Sequence, residues 1–176
     1  ADSTISESGD IISTSIYLVF PLYQKVETIS SKHVYQLLRA VTHLHNQGFC
    51  HNDIKPDNLL MTADDNIILA DFGSACVTTD STSPSSSLIY SSPTTIVKRY
   101  DYRCFDKKTG HWFRLADSRL ANDLWSLGVT IIELLTGEHP FGYNRNHLLL
   151  NLNLYLTNPI TYLQDFLEKN DVSIEE

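Results

Sequence analysis

The chain has 176 residues, of which 42% are hydrophobic, enough for one globular domain with a buried core. Its formal net charge of -8 at pH 7 argues against general binding to nucleic acid or to anionic membranes. The cysteines Cys50, Cys76 and Cys104 are far apart and lack C-x-x-C spacing, so they indicate neither a disulfide framework nor a zinc site. A reducing cytoplasmic or nuclear location is therefore expected, and no signal peptide is evident.

The first part of the chain combines a polar start with one strand and one helix. Residues 1–15 are rich in serine and threonine, and we expect a disordered lead-in. The β-prone run from Ile16 to Phe20 predicts a strand. From Ser31, apolar residues recur at helical spacing until Gly48 gives a stop signal, which predicts a helix.

Two polar motifs follow this helix. Residues 51–60 read HNDIKPDNLL, and Asp71 later begins a DFG triplet. Between them, two short apolar runs flank a turn-forming cluster at residues 64–66, which predicts a β-hairpin. The hairpin would bring Asn58 and Asp71 together. A single aspartate in such a loop is most often a solvated acid that caps a turn, but two motifs in this order favour a functional site.

The middle of the chain is less regular. Residues 74–92 are rich in hydroxyls, which is typical of a flexible loop more often than of a phosphorylation switch. Residues 94–122 interleave basic and aromatic side chains, so nucleic-acid contact stays open as a minor alternative. Interspersed aspartates dilute the charge, and an insertion is the preferred interpretation. Residues 107–110 have the composition of a hairpin turn.

A second apolar helix is predicted from Asp123 until Gly137 and Pro140 end it. The later stretch from Leu148 to Leu156 fits either a helix or a strand by its pattern. It is too short to span a bilayer.

The two polar motifs carry a resemblance to a known family. HNDIKPDN followed by DFG resembles the catalytic loop and the magnesium loop of eukaryotic protein kinases, whose signature is H-R-D-L-x-x-x-N and then D-F-G. The position of Lys55 looks like that of the serine/threonine class. The helices from Ser31 and from Asp123 are similar to the helix before the catalytic loop and to the central helix of the large lobe. The resemblance spans roughly Ile16 to Phe166, and it favours a helix for the leucine-rich stretch.

The resemblance implies transfer of a phosphoryl group from ATP to a protein hydroxyl. Asp53 would accept or orient the hydroxyl proton, and Lys55 would neutralise charge on the transferring group. Asn58 and Asp71 would be the protein ligands of Mg2+. Asp123 would hold the backbone of the catalytic loop, which is compatible with its being an acid near a helix N-terminus.

The same resemblance places the hinge between the two kinase lobes at residues 21–23. The Pro21 carbonyl and the Tyr23 amide would bind adenine, and Phe20 would back the pocket. Glu27 would reach the ribose hydroxyls, although a surface glutamate at a helix start is the simpler account. Leu60 would pack under the adenine or serve as an ordinary core leucine.

Some residues depart from the family pattern. Asn52 replaces the arginine that binds a phosphate on the activation segment, so control through that contact is not expected. Ser92, Pro93 and Thr94 stand where the family has A-P-E, without the anchoring glutamate. Ser87 matches a hydroxyl that bonds the catalytic aspartate and lysine in serine/threonine kinases.

We therefore expect a mainly α (α+β) fold that is a protein-kinase-like large lobe, helical with short β-hairpins at the catalytic site. Residues 16–176 would be a partial kinase domain, hinge and large lobe, incomplete at both ends, because no G-x-G-x-x-G loop or strand lysine is present. The expected function is a serine/threonine protein kinase that uses ATP and Mg2+, impaired in the isolated chain. The alternative is a catalytically inactive binding or scaffolding module. The expected partners are ATP and a protein substrate, with no nucleic acid and no membrane.

Overall fold

The fold is mostly helical. A computed structural model describes residues 2–5, 11–15, 21–78, 87–99, 104–106, 111–113 and 119–172. Within them the helices are α1 (Ser31–Asn46), α2 (Pro93–Arg99), α3 (Arg119–Thr136), α4 (Arg145–Thr157) and α5 (Pro159–Lys169). These helices, joined by short antiparallel strand pairs, confirm the expected mainly α (α+β) class.

The strands are short. They are β1 (Asp2–Ile5), β2 (Ile11–Ser15), β3 (Gln24–Lys25), β4 (Phe49–Cys50), β5 (Leu59–Met61), β6 (Ile67–Leu69), β7 (Cys76–Val77), β8 (Cys104–Asp106) and β9 (His111–Phe113). All pairs are antiparallel: β1 with β2, β3 with β5, β5 with β6, β4 with β7, and β8 with β9. The pairs of β3 with β5 and of β4 with β7 link parts of the chain that are distant in sequence, whereas the other pairs are local.

The N-terminal strands differ from the disordered lead-in expected for residues 1–15. Asp2 of β1 lies opposite Ser15 of β2 in an antiparallel pair whose register shifts between Thr4 and Ile5. The polar composition suggested disorder, but Thr and Ile in both strands are β-branched residues that favour an extended backbone. The strand predicted at residues 16–20 lies outside the described part of the chain.

The two predicted helices form, and the second begins earlier than expected. Helix α1 begins at Ser31 as predicted. Helix α3 begins at Arg119 instead of Asp123, because Leu120 and Ala121 are strong helix formers that extend it toward the N-terminus. Asp123 therefore lies inside the helix, where its side chain is buried.

Two apolar clusters hold the chain together, and α3 contributes to both. The first packs α1 and α3 against the hairpin of β5 and β6, through Val26, Leu37, Val41, Ile54, Leu59, Leu69 and Leu127. The second packs α3 against α4 and the segment before α2, through Tyr90, Ile96, Val129, Phe141, Leu148 and Leu152. Ile54 lies in the middle of the HNDIKPDN motif, so its buried side chain anchors that loop to the first cluster.

The leucine-rich stretch is helical, as the resemblance favoured. Asn144 caps α4, because its side-chain oxygen accepts a hydrogen bond from the His147 amide at 3.0 Å. Leu148 and Leu152 are buried, whereas Leu150 and Leu154 are exposed. None of the helices in the described residues combines the length and the apolar character needed to cross a bilayer.

The first prediction concerns the packing of α1. Leu37 is 1% exposed in the first cluster, whereas its neighbour Leu38 is 45% exposed on the same helix. We expect Leu37→Ala to lower the free energy of unfolding by about 2–5 kcal/mol, because it removes buried methyl groups and leaves a cavity. Leu38→Ala should change it by about 0.5 kcal/mol or less. Urea unfolding of both variants measures the difference, and equal losses would contradict this assignment of the core.

A second prediction concerns acid stability. Burial lowers the pKa of His139 to about 4, and its Nδ1 accepts a hydrogen bond from the Phe141 amide at 3.1 Å. The unfolded chain binds this proton below a pH of about 6.5, whereas the folded chain does not until about pH 4. Stability is therefore lost as pH falls through this window, by about 3 kcal/mol for this residue.

The measurement is urea unfolding at pH 7 and at pH 4.5 for wild type and His139→Gln. We expect the variant to lose less stability on acidification than wild type, because glutamine takes up no proton. The exposed residue His147, changed to glutamine, is the matched control and should keep the wild-type difference. An unchanged pH dependence in His139→Gln would show that this imidazole does not drive acid unfolding.

Candidate active site

The β5–β6 hairpin forms as predicted and sets the position of Asn58 and Asp71. Leu59 lies opposite Leu69, and the Ala70 amide donates to the Asn58 carbonyl at 2.8 Å. Asn58 therefore directly precedes the hairpin, and Asp71 follows the last bonded residue on the other strand. The turn is closed by the Asp65 amide, which donates to the Thr62 carbonyl at 3.1 Å.

Asp53 is the centre of a hydrogen-bonded group at the end of the loop. Lys55 Nζ lies 2.7 Å from Asp53 Oδ2. The Asn58 side-chain amide donates to Asp53 Oδ2 at 3.1 Å and to the Asp53 carbonyl at 2.7 Å. The Ser87 amide donates to Asp53 Oδ1 at 3.2 Å, and Lys55 Nζ donates to Ser87 Oγ at 3.1 Å. The Ser87 hydroxyl thus contacts Lys55, as the resemblance implied, whereas the Ser87 backbone amide contacts Asp53.

These contacts keep Asp53 ionised. Partial burial opposes its charge, but the hydrogen bonds from Lys55 and Ser87 outweigh burial and hold its pKa below the usual value for aspartate. A carboxylate that is charged and held in place by three partners is suited to accept a hydroxyl proton or to orient the hydroxyl.

Asp123 holds the loop backbone, as predicted. Its Oδ2 accepts from the His51 amide and its Oδ1 from the Asn52 amide, both at 2.8 Å. His45 Nε2 lies 2.9 Å from the same carboxylate. The carboxylate is fully buried, so removing it would leave two backbone donors without an acceptor.

His51 connects the loop to the DFG triplet. Burial lowers its pKa, so the ring is neutral; its Nε2 donates to the Ala70 carbonyl at 3.0 Å and its Nδ1 accepts from the Asp53 amide at 3.3 Å. The ring meets Phe72 edge-on, with centroids 4.9 Å apart. The two motifs are thus held in one orientation by a single side chain.

Asp71 adopts a left-handed backbone conformation, with φ of 59°. Its Oδ1 accepts from the Gly73 amide at 3.2 Å, and its side chain is exposed beside the loop. The conformation turns the carboxylate away from the hairpin core.

The donor set of Asn58 and Asp71 fits a magnesium ion. The Asn58 amide nitrogen is used by Asp53, which leaves the amide oxygen of Asn58 for a cation. Asp71 adds an exposed carboxylate from the other strand. Mg2+ takes one or two carboxylate or amide oxygens from a protein and completes its shell with phosphate and water.

Asn52 has a role that sequence reasoning missed. Its side chain is fully buried, and its amide nitrogen donates to the Ser74 carbonyl at 3.0 Å and to Cys76 Sγ at 3.1 Å. Its backbone is left-handed, with φ of 64°, a conformation that asparagine tolerates better than most residues. The sequence showed that Asn52 replaces the arginine of the family signature. It did not show which distant residues the asparagine side chain contacts.

A hydroxyl network replaces the anchoring glutamate that the sequence lacks. Asn122 Oδ1 accepts from the Ser92 amide at 2.9 Å and from Thr95 Oγ1 at 3.0 Å. Ser92 Oγ lies 3.0 Å from Thr95 Oγ1. This buried cluster ties the start of α2 to α3, so the segment is anchored without an ion pair at that position.

The residues expected at the adenine are only partly described. Phe20 lies outside the described residues. Pro21 is exposed, Tyr23 is half-buried, and the chain then pairs with β5, where Lys25 lies opposite Leu60.

The structure does not bring Glu27 to the catalytic group. Glu27 lines an open cleft of about 740 Å³ with β3, the start of α1, Met61 and Asp65. That cleft contains none of Asp53, Asn58 and Asp71.

A held aspartate, a lysine, an asparagine and the aspartate of a DFG triplet lie together on a mostly helical framework, which is the pattern of the large lobe of a protein kinase. The profile of the protein kinase domain matches residues 21–173. The chain belongs to the eukaryotic protein kinase family.

Protein kinases of several organisms are similar to a large part of this chain. "Serine/threonine-protein kinase AtPK1/AtPK6" of Arabidopsis thaliana is 31% identical over 71% of this chain and 24% of its own length. "Cell division control protein 7" of Schizosaccharomyces pombe is 34% identical over 65% of this chain and 9% of its own length. "Probable serine/threonine-protein kinase glkA" of Dictyostelium discoideum is 34% identical over 64% of this chain and 21% of its own length. The chain thus spans about a quarter or less of these relatives.

Proposed function

We propose that this chain carries the catalytic loop of a serine/threonine protein kinase that transfers the γ-phosphoryl group of MgATP to protein hydroxyls. The observation that carries the proposal is the charged Asp53 carboxylate, held between Lys55 and the Asn58 amide. The family membership supports the reaction class, and the names of similar proteins support the serine/threonine class.

Each side chain has a part in this chemistry. Asp53 takes or orients the proton of the attacking hydroxyl. Lys55, whose Nζ lies 2.7 Å from Asp53 Oδ2, is placed to neutralise charge on the phosphoryl group during its transfer. Asn58 and Asp71 hold the metal ion, and MgATP when bound supplies the phosphoryl donor and the positive charge that offsets its phosphates.

Ser87 supports a preference for serine and threonine over tyrosine. It bridges to Lys55 and, through its amide, to Asp53, so the activation segment lies close to the attacking hydroxyl. Serine/threonine kinases carry a hydroxyl at this position, so the resemblance supports the same preference here.

The alternative, an inactive binding or scaffolding module, rests on the open face of the site. Phe72, directly after Asp71, is 52% exposed, so an apolar group next to the site lies in water. Phosphoryl transfer depends on excluding water from the reacting groups. We therefore propose that the isolated chain is impaired. A cytoplasmic or nuclear location is also proposed, which the spacing of the cysteines supports.

The test is phosphate transfer from MgATP to a mixture of serine-, threonine- and tyrosine-containing proteins, followed by phosphoamino-acid analysis. We expect phosphoserine and phosphothreonine, at a low rate. Phosphotyrosine as the main product would overturn the class. No transfer by a folded chain that binds MgATP would favour the inactive module.

A further inference from the structure

Two cysteines face each other across the strands that join the catalytic loop to the activation segment. Cys50 ends β4 directly before His51, and Cys76 begins β7 shortly after the DFG triplet. The two residues are direct partners in the antiparallel pair. Both are reduced.

The strand register brings this pair within reach of a covalent bond. The Thr78 amide donates to the Gly48 carbonyl at 2.8 Å, so by alternation Cys50 and Cys76 also form a hydrogen-bonded type of pair. Such pairs have Cα atoms about 5.5 Å apart, inside the range of about 4.4–6.8 Å found for disulfides. Their side chains leave the ladder on the same face.

The two sulfur atoms have different surroundings. Cys76 is half-buried, and its Sγ accepts hydrogen bonds from Arg119 Nη1 and from the Asn52 amide nitrogen. Donors of this kind stabilise negative charge on sulfur and favour attack on an oxidant. Cys50 is fully buried, and burial together with the Asp123 charge raises the pKa of its thiol to about 11.

A proton acceptor lies beside the buried thiol. Cys50 Sγ, a ring nitrogen of His45 and a carboxylate oxygen of Asp123 all lie within 4.8 Å of one another. The pair of His45 and Asp123 can therefore take the Cys50 proton as its sulfur attacks a neighbour.

We propose that Cys50 and Cys76 are a redox-active pair that hydrogen peroxide converts into a cross-strand disulfide. Cys76 sulfur attacks one peroxide oxygen, the O–O bond breaks, and a sulfenic acid and water form. Cys50 sulfur then attacks Cys76 sulfur, the S–O bond breaks, and the hydroxide leaves as water with the Cys50 proton. Two thiols are oxidised and one peroxide is reduced to two waters.

The disulfide would act on the geometry of the active site. It would tie β7 to β4 and convert the Cys76 thiol, which Asn52 and Arg119 contact, into a disulfide sulfur. Asn52 directly precedes Asp53 in the catalytic loop. Oxidation of Cys76 would therefore act on Asp53 through Asn52. The thiol pair would thus control the activation segment. That segment lacks the usual phosphate contact because Asn52 stands in place of the arginine.

The test is oxidation of the folded chain by one equivalent of hydrogen peroxide, then denaturation and alkylation of the remaining thiols. We expect the number of alkylated cysteines to fall from three per chain to one, and to return to three after reduction with dithiothreitol. A protease that cuts before aspartate separates the two cysteines, since Asp53, Asp57, Asp64, Asp65 and Asp71 lie between them. The mass of a linked Cys50–Cys76 peptide identifies the bond. The readout does not depend on kinase activity.

Two controls make the result specific. Cys76→Ser should abolish the link, whereas Cys104→Ser should leave it in place. Cys76 is about equally far along the chain from Cys50 and from Cys104, so a chain oxidised in denaturant should form both links at similar rates. A native product linked to Cys104, a dimer between chains, or Cys76 oxidised with Cys50 still alkylated would each overturn the proposal.

Discussion

Replacement of Asp53 by asparagine should lower phosphoryl transfer by about 10²- to 10⁴-fold, the range over which a positioned acid–base group contributes. Asparagine keeps the shape of the side chain, but it has one acceptor oxygen in place of two and cannot take up a proton. We therefore expect kcat to fall while KM for ATP changes little. The measurement is initial-rate kinetics with a serine-containing protein substrate.

The matched control is Asp57→Asn, four residues further along the same loop and exposed to solvent. It should keep kcat within about twofold, because its carboxylate makes no contact with the Asp53 group. Equal losses in both variants would mean that the loop responds to charge in general. An active Asp53→Asn variant would remove Asp53 from the chemistry.

Replacement of Asp123 by alanine should lower the free energy of unfolding by about 3–5 kcal/mol. The carboxylate is fully buried, and its two oxygens accept from the backbone amides of His51 and Asn52. Alanine leaves both donors buried without an acceptor. Urea unfolding at pH 7 measures the loss, with circular dichroism as the probe.

Two comparisons test the reason for that loss. Asp123→Asn keeps one acceptor oxygen and should lose less than the alanine variant. Asp165→Ala, at an exposed position on α5, should change stability by about 0.5 kcal/mol or less. A loss below about 1 kcal/mol in Asp123→Ala would show that water replaces the carboxylate and that the loop is not held by it.

The elements that the sequence predicted well are those specified by local pattern. The spacing of apolar residues placed α1, and turn-forming residues between two apolar runs placed the hairpin that sets Asn58 beside Asp71. Residues 107–110 were also expected as a turn, and β8 and β9 pair on either side of them, with Asp106 opposite His111.

The contacts that the sequence did not predict join residues far apart in the chain. The sequence around Asn52 does not indicate that its side-chain amide donates to Ser74 and Cys76. The sequence around Asn122 likewise does not indicate that its side-chain oxygen accepts hydrogen bonds from Ser92 and Thr95. Side-chain hydrogen bonds of this kind depend on which helices and loops pack together. For the same reason the pairing of Cys50 with Cys76 could not be read from their spacing.

The hinge illustrates a different limit. The resemblance placed Pro21 and Tyr23 near adenine and Glu27 near ribose, but the backbone after Tyr23 pairs with β5 and carries Glu27 to another cleft. A short strand pair of two residues has almost no signal in sequence, because any residues with extended backbones can form it. The adenine contacts of Phe20, Pro21, Tyr23 and Leu60 and the ribose contact of Glu27 therefore stay predictions.

The most direct test of the central claim is calorimetric titration of ATP into the folded chain, with and without Mg2+. The claim is that Asn58 and Asp71 form a working metal and nucleotide site at the open end of the hairpin. We predict binding that requires Mg2+, is lost in Asp71→Ala and is retained in Asp64→Ala, which changes an exposed acid in the turn at the opposite end of the same hairpin. Binding that ignores Mg2+ or survives in Asp71→Ala, or no binding by a folded chain, would contradict it.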